Sequence, residues 1–365
     1  MKRIVPLFLA AALLLTACFD TQSSNESLTT QSDKNTTQSS ADSKDGTSSD
    51  ETSSYDPFAR ADNDENTSAT AASYSCGVNW KEGKDYVLDY APTVSFEYFV
   101  KNDSADTDFG LMLFVNGIRQ PYRTDTDTED KVMHIFDVNK DETKTQTISF
   151  EAVTGEQGDE LSVEIITMLH PDFVQETSSN YGFNHKITSF YASKLSVTEK
   201  TGKIEPKICT SYETTPITDE LRRQFDTTDE KGLVSENMLD NTVYVDVLKN
   251  GVLCTPEDLR IKDQDITPFK TSDYAELCMY GGKPCQYRVS MYVNHELIKG
   301  AFDGMDYIDI NVSKDNICKK KIEFQNLNLS LNDYNNLYFV AVTSYTDYSV
   351  EERMVLKSAS VTVVK

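Results

Sequence analysis

The sequence predicts an all-β protein with two tandem β-sandwich domains, which follow a signal peptide and a disordered tether. Three observations lead to this prediction. Short segments with alternating apolar residues recur beyond residue 76, similar motifs occur in the same order in two halves, and residues 19–75 contain only isolated apolar residues. A period of two is typical of half-buried strands, and motifs repeated in one order indicate a duplicated domain.

The N-terminus has the parts of a secretion signal. Lys2 and Arg3 precede an apolar run at residues 4–15. A membrane-spanning helix needs roughly 20 apolar residues, so this run is too short to remain as an anchor. The segment Leu15-Thr16-Ala17-Cys18 resembles the lipobox of bacterial lipoproteins, in which an apolar residue and two small residues precede a cysteine. The resemblance implies removal of residues 1–17 and a diacylglycerol group on Cys18; an ordinary signal peptide with a chance cysteine is the alternative.

Residues 18–75 are predicted to form a disordered tether. They are rich in Ser, Thr and Asp, and such a composition cannot bury enough apolar surface to offset its chain entropy. A flexible chain of this length has a root-mean-square span of about 40 Å. Long polar spacers after a lipobox resemble those of Gram-positive surface lipoproteins, which implies a lipid-anchored protein exposed on the extracytoplasmic face of the cell membrane.

The charge of the chain restricts its partners. The formal net charge is −24 at pH 7. Such an acidic chain repels nucleic acid and anionic headgroups. We therefore predict no nucleic-acid partner and expect the Cys18 lipid alone to hold the protein at the membrane.

The repeats are predicted over residues 76–200 and 240–365, joined by a polar connector at 201–239. The matching segments keep one order along the chain. They pair FVNGIRQPY (114–122) with YVNHELIKG (292–300), residues 132–150 with 306–324, and TVSFEYFVKN (93–102) with TVYVDVLKN (242–250). Several short strands with turn signals in about 125 residues favour an immunoglobulin-like sandwich in each repeat.

Local patterns predict individual elements of each repeat. The run LMLFV (111–115) is continuously apolar, as in a central strand that is covered on both faces. Asn116-Gly117 follows it and favours a two-residue type I′ hairpin turn. The second repeat has Asn294-His295 instead, which strains that turn, and a longer loop is the alternative. In the connector, TDELRRQF (218–225) is the one plausible helix, and the polar composition around it favours domains that are not rigidly docked.

The first repeat also resembles uncharacterised Gram-positive surface lipoproteins. They carry a similar hairpin of the LxxFVNGxxQPY kind and a later M-x-x-PDF segment, here Met168 to Phe173. The resemblance implies the fold and the location, and it brings no catalytic residues.

One pair of cysteines is a candidate disulfide. A two-residue turn at Gly281-Gly282 would place Cys278 opposite Cys285, with Cα atoms about 5.5 Å apart in a hydrogen-bonded pair, inside the range for a disulfide. Buried free thiols are the alternative. The chain contains no C-x-x-C spacing, so these cysteines do not predict a zinc site.

No motif predicts catalysis. HELIK (295–299) resembles the zinc-protease helix but has Lys299 where the second histidine is required, and the other histidines are scattered. We therefore predict a protein that is not an enzyme and has no cofactor or metal. Two acidic loops, at residues 102–108 and 125–130, keep calcium binding as an alternative, although solvated turns are the commoner explanation of such loops.

The predicted function is that of a non-catalytic surface module for binding or adhesion. A long loop before the last strand of the first repeat carries Phe173, Tyr181, Phe183 and His185. Aromatic side chains in such a loop suit contact with an extracellular glycan or protein. Packing of these rings onto the open end of the sandwich is the alternative. A structural or envelope-interaction protein without a small ligand is the second functional hypothesis, and an extracellular hydrolase is the least favoured.

Replacement of Cys18 tests the lipid anchor. We expect the wild-type protein to incorporate a palmitate analogue during metabolic labelling. Cys18→Ala should lose the label and be released into the medium, because the thiol is the only acceptor that the lipobox provides. Equal labelling of the variant would show that Cys18 is not the site of lipidation.

Overall fold

The computed structural model describes residues 74–81, 86–103, 106–172, 187–199, 205–228, 233–249, 268–343, 354–358 and 360–365. These residues form strands almost throughout, so the all-β prediction is confirmed. Outside them lie the predicted signal peptide, the tether up to residue 73, Cys18 and the predicted ligand loop with Phe173, Tyr181, Phe183 and His185. The last two residues of the predicted tether, Tyr74 and Ser75, belong to the first strand, so that boundary is wrong by at least two residues. Among the described residues, no helix has the length and apolar character needed to cross a membrane.

Strands β1–β10 build the first sandwich. Their bounds are β1 (Tyr74–Val78), β2 (Val87–Leu88), β3 (Val94–Asn102), β4 (Thr107–Val115), β5 (Ile118–Gln120), β6 (Arg123–Thr124), β7 (His134–Val138), β8 (Thr143–Phe150), β9 (Glu160–Leu169) and β10 (Ile187–Ser196). Outer sheet 1 has the order β1-β3-β8-β6, and inner sheet 1 has the order β2-β10-β9-β4-β5 with β7 also paired to β4.

The connector contributes β11 (Ile208–Cys209), β12 (Glu213–Pro216), α1 (Asp219–Arg223), β13 (Asp226–Thr228), β14 (Val234–Asn237) and a 3-10 turn at Met238–Asp240. The second sandwich then contains β15 (Val243–Lys249), β16 (Phe269–Lys270), β17 (Tyr274–Gly281), β18 (Cys285–Val293), β19 (Glu296–Leu297), β20 (Tyr307–Val312), β21 (Asn316–Glu323), a 3-10 turn at Phe324–Asn326, β22 (Tyr334–Thr343), β23 (Val355–Lys357) and β24 (Val361–Val364). Outer sheet 2 has the order β15-β17-β21-β12. Inner sheet 2 has the order β16-β24-β22-β18-β20-β11, with β19 on β18 and β23 on β22.

The two sandwiches share one strand order. The gap-free match of residues 132–150 with 306–324 superimposes β7 and β8 on β20 and β21, which hold equivalent places in their sheets. The match of residues 93–102 with 242–250 is wrong. The first of these segments is β3, second in outer sheet 1, whereas the second is β15, at the edge of outer sheet 2. Both segments alternate in the same way, and alternation alone does not distinguish an edge strand from its neighbour.

Strand β4 is covered on both faces, as its continuous apolar run predicts. Leu111 and Leu113 point into the first sandwich, between its two sheets. Met112 and Phe114 point the other way and belong to a separate cluster, which we call the interface cluster: Met112, Phe114, Ile166, Met168, Tyr292, Tyr338, Val340, Val342 and Val355. Its members come from inner sheet 1 and inner sheet 2, so the two sandwiches pack face to face.

Aromatic rings form the centre of the interface cluster. The rings of Tyr292 and Tyr338 stack with centroids 5.4 Å apart, and Phe114 meets Tyr292 edge to face at 6.5 Å. All three side chains are fully buried. The expectation of loosely docked domains, which the polar connector suggests, is therefore wrong, because apolar faces outside the connector join the two sandwiches.

The predicted hairpin turns have the same form in both repeats. Asn116 and Gly117 both have positive φ, at 51° and 71°, and Asn294 and His295 have φ of 48° and 67°. Val115 pairs with Ile118 in the first turn, and Val293 pairs with Glu296 in the second. Two residues therefore form each turn, and the longer loop considered for the second repeat does not occur.

The connector packs on the outer face of outer sheet 2. Helix α1 begins after Thr218, whose hydroxyl accepts a hydrogen bond from the Leu221 amide at 3.2 Å, as expected for an N-cap. Leu221 and Phe225 then cover Tyr280 of β17. The predicted helix is thus present, although it is short.

The predicted Cys278–Cys285 disulfide is wrong, because the hairpin that would create it does not form. Strand β17, with Cys278, pairs with β15 and β21 in outer sheet 2, whereas β18, which begins at Cys285, belongs to inner sheet 2. The intervening Gly281 and Gly282 carry the chain from one sheet to the other. Cys278 is a buried free thiol.

Truncation of Phe114 tests the importance of the interface cluster. Phe114→Ala should lower the free energy of unfolding by about 3–5 kcal/mol, because it leaves a cavity in a fully buried apolar contact. Denaturant titration measures this loss. Tyr334→Ala is the control, since Tyr334 is 38% exposed, and it should change stability little. An unchanged midpoint in Phe114→Ala would show that the two sandwiches do not depend on this contact.

Candidate functional site

His134 belongs to a saturated hydrogen-bond network. Its Nε2 donates to the Tyr122 carbonyl at 2.8 Å, and its Nδ1 lies 3.0 Å from Asp127 Oδ2. The Thr124 hydroxyl donates to the same carboxylate at 2.5 Å. This hydrogen bond is the main reason why the pKa of Asp127 falls to about 2. With both ring nitrogens engaged, His134 fixes the turn before β7 and has no nitrogen left for a substrate.

The acidic loops use their carboxylates to cap backbone groups. Asp106 Oδ1 accepts a hydrogen bond from the Lys140 amide at 2.7 Å, and Glu142 Oε2 accepts one from the Asn139 amide at 2.8 Å. In the described part of the chain, no group of three or more His, Cys, Asp or Glu residues is arranged to hold a metal ion. These contacts are those of the solvated turns that the sequence favours over calcium.

A cleft with an aromatic wall lies at the edge of the first sandwich, and we call it the Trp80 cleft. Its volume is about 370 Å³. Strands β1 and β3 form one side and β2 forms the other. Its apolar lining residues are Val78, Trp80, Val87, Leu88 and Phe96. Its polar lining residues, which we call the polar rim, are Asn79, Lys81, Asp89, Ser95, Glu97 and Thr147.

The aromatic wall is accessible to solvent. Tyr86 adjoins Trp80, with ring centroids 5.5 Å apart and a tilt of 48°. Tyr86 and Val87 are 42% and 43% exposed, and they are two of only six large apolar side chains exposed in the described residues. Tyr86 also has a positive φ of 61°, an unusual conformation for a bulky residue. Exposed apolar surface beside a concave site is typical of a binding surface.

The side chains of the polar rim contact one another, and a bound ligand can replace these contacts with hydrogen bonds of its own. Asn79 Nδ2 donates to Glu97 Oε2 at 3.2 Å, and Lys81 lies 3.0 Å from Asp89. Both members of the ion pair are largely exposed, so solvent screens their attraction and little is lost when a ligand replaces it. The backbone beneath is fixed, because the Asn79 amide donates to the Glu97 carbonyl at 2.9 Å.

Sequence reasoning missed this cleft. The signal that points to it is Trp80, the single tryptophan of the chain, which stands among polar and charged residues directly after a strand. The site that the sequence predicts, with Phe173, Tyr181, Phe183 and His185, lies outside the described residues and stays a prediction. His170, which precedes that loop, is described, and its Nδ1 lies 3.0 Å from Asp108 Oδ1.

A second cleft, of about 310 Å³, lies beside α1 and is lined by charged residues. Its polar groups pair with one another. Arg222 forms an ion pair with Asp240, and Asn237 Nδ2 donates to Asp226 at 2.7 Å. Nearby, burial raises the pKa of Asp246 to about 6, and Tyr280 donates a hydrogen bond to its carboxylate at 2.9 Å. The first two contacts lie within the connector, and the third joins β17 to β15 in outer sheet 2.

The comparisons with known proteins show no family. No protein-family model matches the sequence, and no curated protein matches it. The YadV chaperone is similar over 78% of this chain and 98% of its own, at 8% identity and a TM-score of 0.20. The CsuC–CsuE chaperone–adhesion subunit complex of Acinetobacter baumannii is similar over 72% and 90%, at 12% identity and a TM-score of 0.16. Red sea bream transglutaminase is similar over 81% and 32%, at 9% identity and a TM-score of 0.19. Matches this distant carry no functional argument.

His295 connects the turn of the second sandwich to the first sandwich. Its Nε2 donates to the Pro171 carbonyl at 2.5 Å, and its Nδ1 accepts a hydrogen bond from the Tyr338 hydroxyl at 2.8 Å. Burial lowers the pKa of His295, and the hydrogen bond to the Pro171 carbonyl opposes this effect. The charges of Lys357 and Arg119, which lower the pKa, and of Asp172, which raises it, contribute less. The neutral ring is therefore the form that supports the interface.

The lowered pKa predicts that stability falls on acidification. When the pH falls below 6.5, the ordinary pKa of histidine, His295 of the unfolded chain takes up a proton that the folded chain does not bind. The free energy of unfolding therefore decreases as the pH falls. This contribution cannot exceed about 1.4 kcal/mol per pH unit. His295→Asn, which tolerates the positive φ and does not titrate, should lose this contribution. Denaturant titrations at pH 7.5 and 5.5 measure it, and identical pH dependence in both proteins would contradict the prediction.

Proposed function

We propose that the protein is a non-catalytic lipoprotein of the bacterial cell surface, which binds an extracellular ligand in the Trp80 cleft. The observation that carries the proposal is that Trp80 lines a cleft with a polar rim and adjoins the exposed ring of Tyr86. Small-molecule sites are concave and largely apolar, with a few polar groups that fix orientation. The lipobox and the tether support presentation of this cleft on the extracytoplasmic side.

The absence of catalysis is supported by the contacts of the groups that chemistry would need. His134 has both nitrogens engaged with Tyr122 and Asp127, and His295 has both engaged with Pro171 and Tyr338. Each histidine thus stabilises a turn. In the Trp80 cleft the carboxylates of Asp89 and Glu97 contact Lys81 and Asn79, without a histidine among the lining residues.

The structural alternative, an envelope-interaction protein without a small ligand, is favoured by a different surface. Leu233 and Val234 are 64% and 62% exposed, at the end of the β13–β14 hairpin. Exposed apolar residues on a projecting hairpin suit contact with another protein. This surface and the Trp80 cleft are separate on the chain, so variants distinguish the two functions.

A binding screen tests the proposal. Residues 19–365, which keep all of β1 and omit the predicted signal peptide and Cys18, are applied to immobilised glycans and to a panel of extracellular proteins, and any partner is titrated against variants. Trp80→Ala and Tyr86→Asn should each weaken binding at least tenfold, and the Asn tolerates the positive φ of position 86. Tyr334→Ala, which alters an exposed ring elsewhere, should bind like the wild type.

Circular dichroism melts establish that each variant is folded. Binding that survives both cleft substitutions would contradict the site, and loss of binding on Val234→Asp alone would favour the envelope-interaction function. Turnover of a glycan or peptide by the purified fragment would overturn the non-catalytic proposal.

A further inference from the structure

The chemistry of the Trp80 cleft also indicates the class of its ligand, an inference that rests on the proposed function. We infer that the cleft binds an uncharged carbohydrate. Its volume of about 370 Å³ lies at the lower end of the range of about 300–1,000 Å³ for small-molecule sites. The occupant is therefore a short unit, such as the end of an oligosaccharide chain.

The cleft combines aromatic and hydrogen-bonding side chains, as a sugar ring combines C–H groups and hydroxyl groups. The indole of Trp80 lines it, and the half-exposed ring of Tyr86 adjoins that indole. A pyranose presents axial C–H groups on its ring face, which pack against such a surface. Tryptophan and tyrosine supply a large rigid contact at low cost in side-chain entropy.

Beside the indole, the cleft offers both donors and acceptors within one small area. The Asn79 amide donates to the Glu97 carboxylate at 3.2 Å, and the amide oxygen and the second carboxylate oxygen supply further acceptors. Ser95 adds a hydroxyl, which shares a hydrogen bond with Ser149 at 2.7 Å. Neighbouring sugar hydroxyls donate and accept at the same spacing as planar amide and carboxylate groups.

Charge excludes the acidic carbohydrates. Among the described lining residues, Lys81, Asp89 and Glu97 together carry an excess of one negative charge. The whole chain carries −24. Sulfated, phosphorylated and uronic-acid chains would therefore be repelled by the net charge of the cleft and of the chain.

Tryptophan fluorescence provides a direct test, because Trp80 is the only tryptophan of the chain. The chain from residue 19 to residue 365, in which β1 is whole, is titrated with three neutral probes, cellotetraose, N-acetylchitotetraose and mannotriose. A sulfated heparin tetrasaccharide and an uncharged Ser/Gly/Tyr hexapeptide serve as comparisons. At least one neutral sugar should shift the emission saturably, and the two comparison probes should not.

Variants test whether the named contacts are responsible for sugar binding. Calorimetry measures their affinity, because variants of Trp80 lose the fluorophore. Trp80→Ala should weaken sugar binding at least tenfold, whereas Trp80→Phe should retain most of it. Glu97→Ala should weaken binding several-fold, and the exposed acid Glu151, replaced by Ala, is the matched control.

The outcomes separate this inference from the proposed function. Saturable binding of the peptide alone, lost in Trp80→Ala, would overturn the carbohydrate assignment and leave a binding cleft. Binding of the sulfated probe alone would also overturn it. Sugar binding that Trp80→Ala does not alter would remove the cleft as its site. No Trp80-dependent binding of these probes, nor of any glycan or protein in the screen, would overturn both.

Discussion

The structure depends on one apolar contact, the packing of inner sheet 1 against inner sheet 2. Strands β4 and β22 each bury both faces, one inside their own sandwich and one against the other sandwich. Phe114, Tyr292, Tyr338 and Val340 are fully buried there. Neither inner sheet could keep this face in water without exposing a contiguous apolar surface, which is rare on monomeric proteins. The second sandwich therefore excludes solvent from the apolar outer face of inner sheet 1.

Polar contacts around this cluster fix how the two inner sheets meet. The hairpin turn of each sandwich makes one such contact with the other sandwich. The turn of the first sandwich presents the Asn116 carbonyl to Arg288 Nη1 at 3.0 Å, and Arg288 is itself oriented by Asp309 at 2.9 and 3.0 Å. The turn of the second sandwich presents His295 to the Pro171 carbonyl. The positive φ of His295, disfavoured for a residue with a side chain, is maintained because its ring is held at both nitrogens.

The ligand site that we propose lies at the edge of the first sandwich, outside these packed faces. The facing surfaces of the two inner sheets are buried against each other, and the connector covers part of outer sheet 2. The Trp80 cleft lies at β1 and β2, away from the interface cluster, and its backbone belongs to a sheet anchored on both sides of β3. A ligand there meets side chains that fixed strands position, so binding requires little ordering of the protein.

The sequence by itself determined the all-β class, the two-residue turn at Asn116-Gly117, the presence of a helix within residues 218–225 and the double burial of LMLFV. Each of these follows from a period or from neighbouring residues. Only the tertiary structure decided that the chain crosses between sheets at Gly281-Gly282, that Cys278 and Cys285 are separated, and that Trp80 meets Tyr86 at a cleft. Distant segments compete to pair with each strand. Strands β15 and β21 occupy the two edges of β17, so no edge of β17 remains for β18. A local pattern shows that a strand has an apolar face, but the face it meets depends on the rest of the chain.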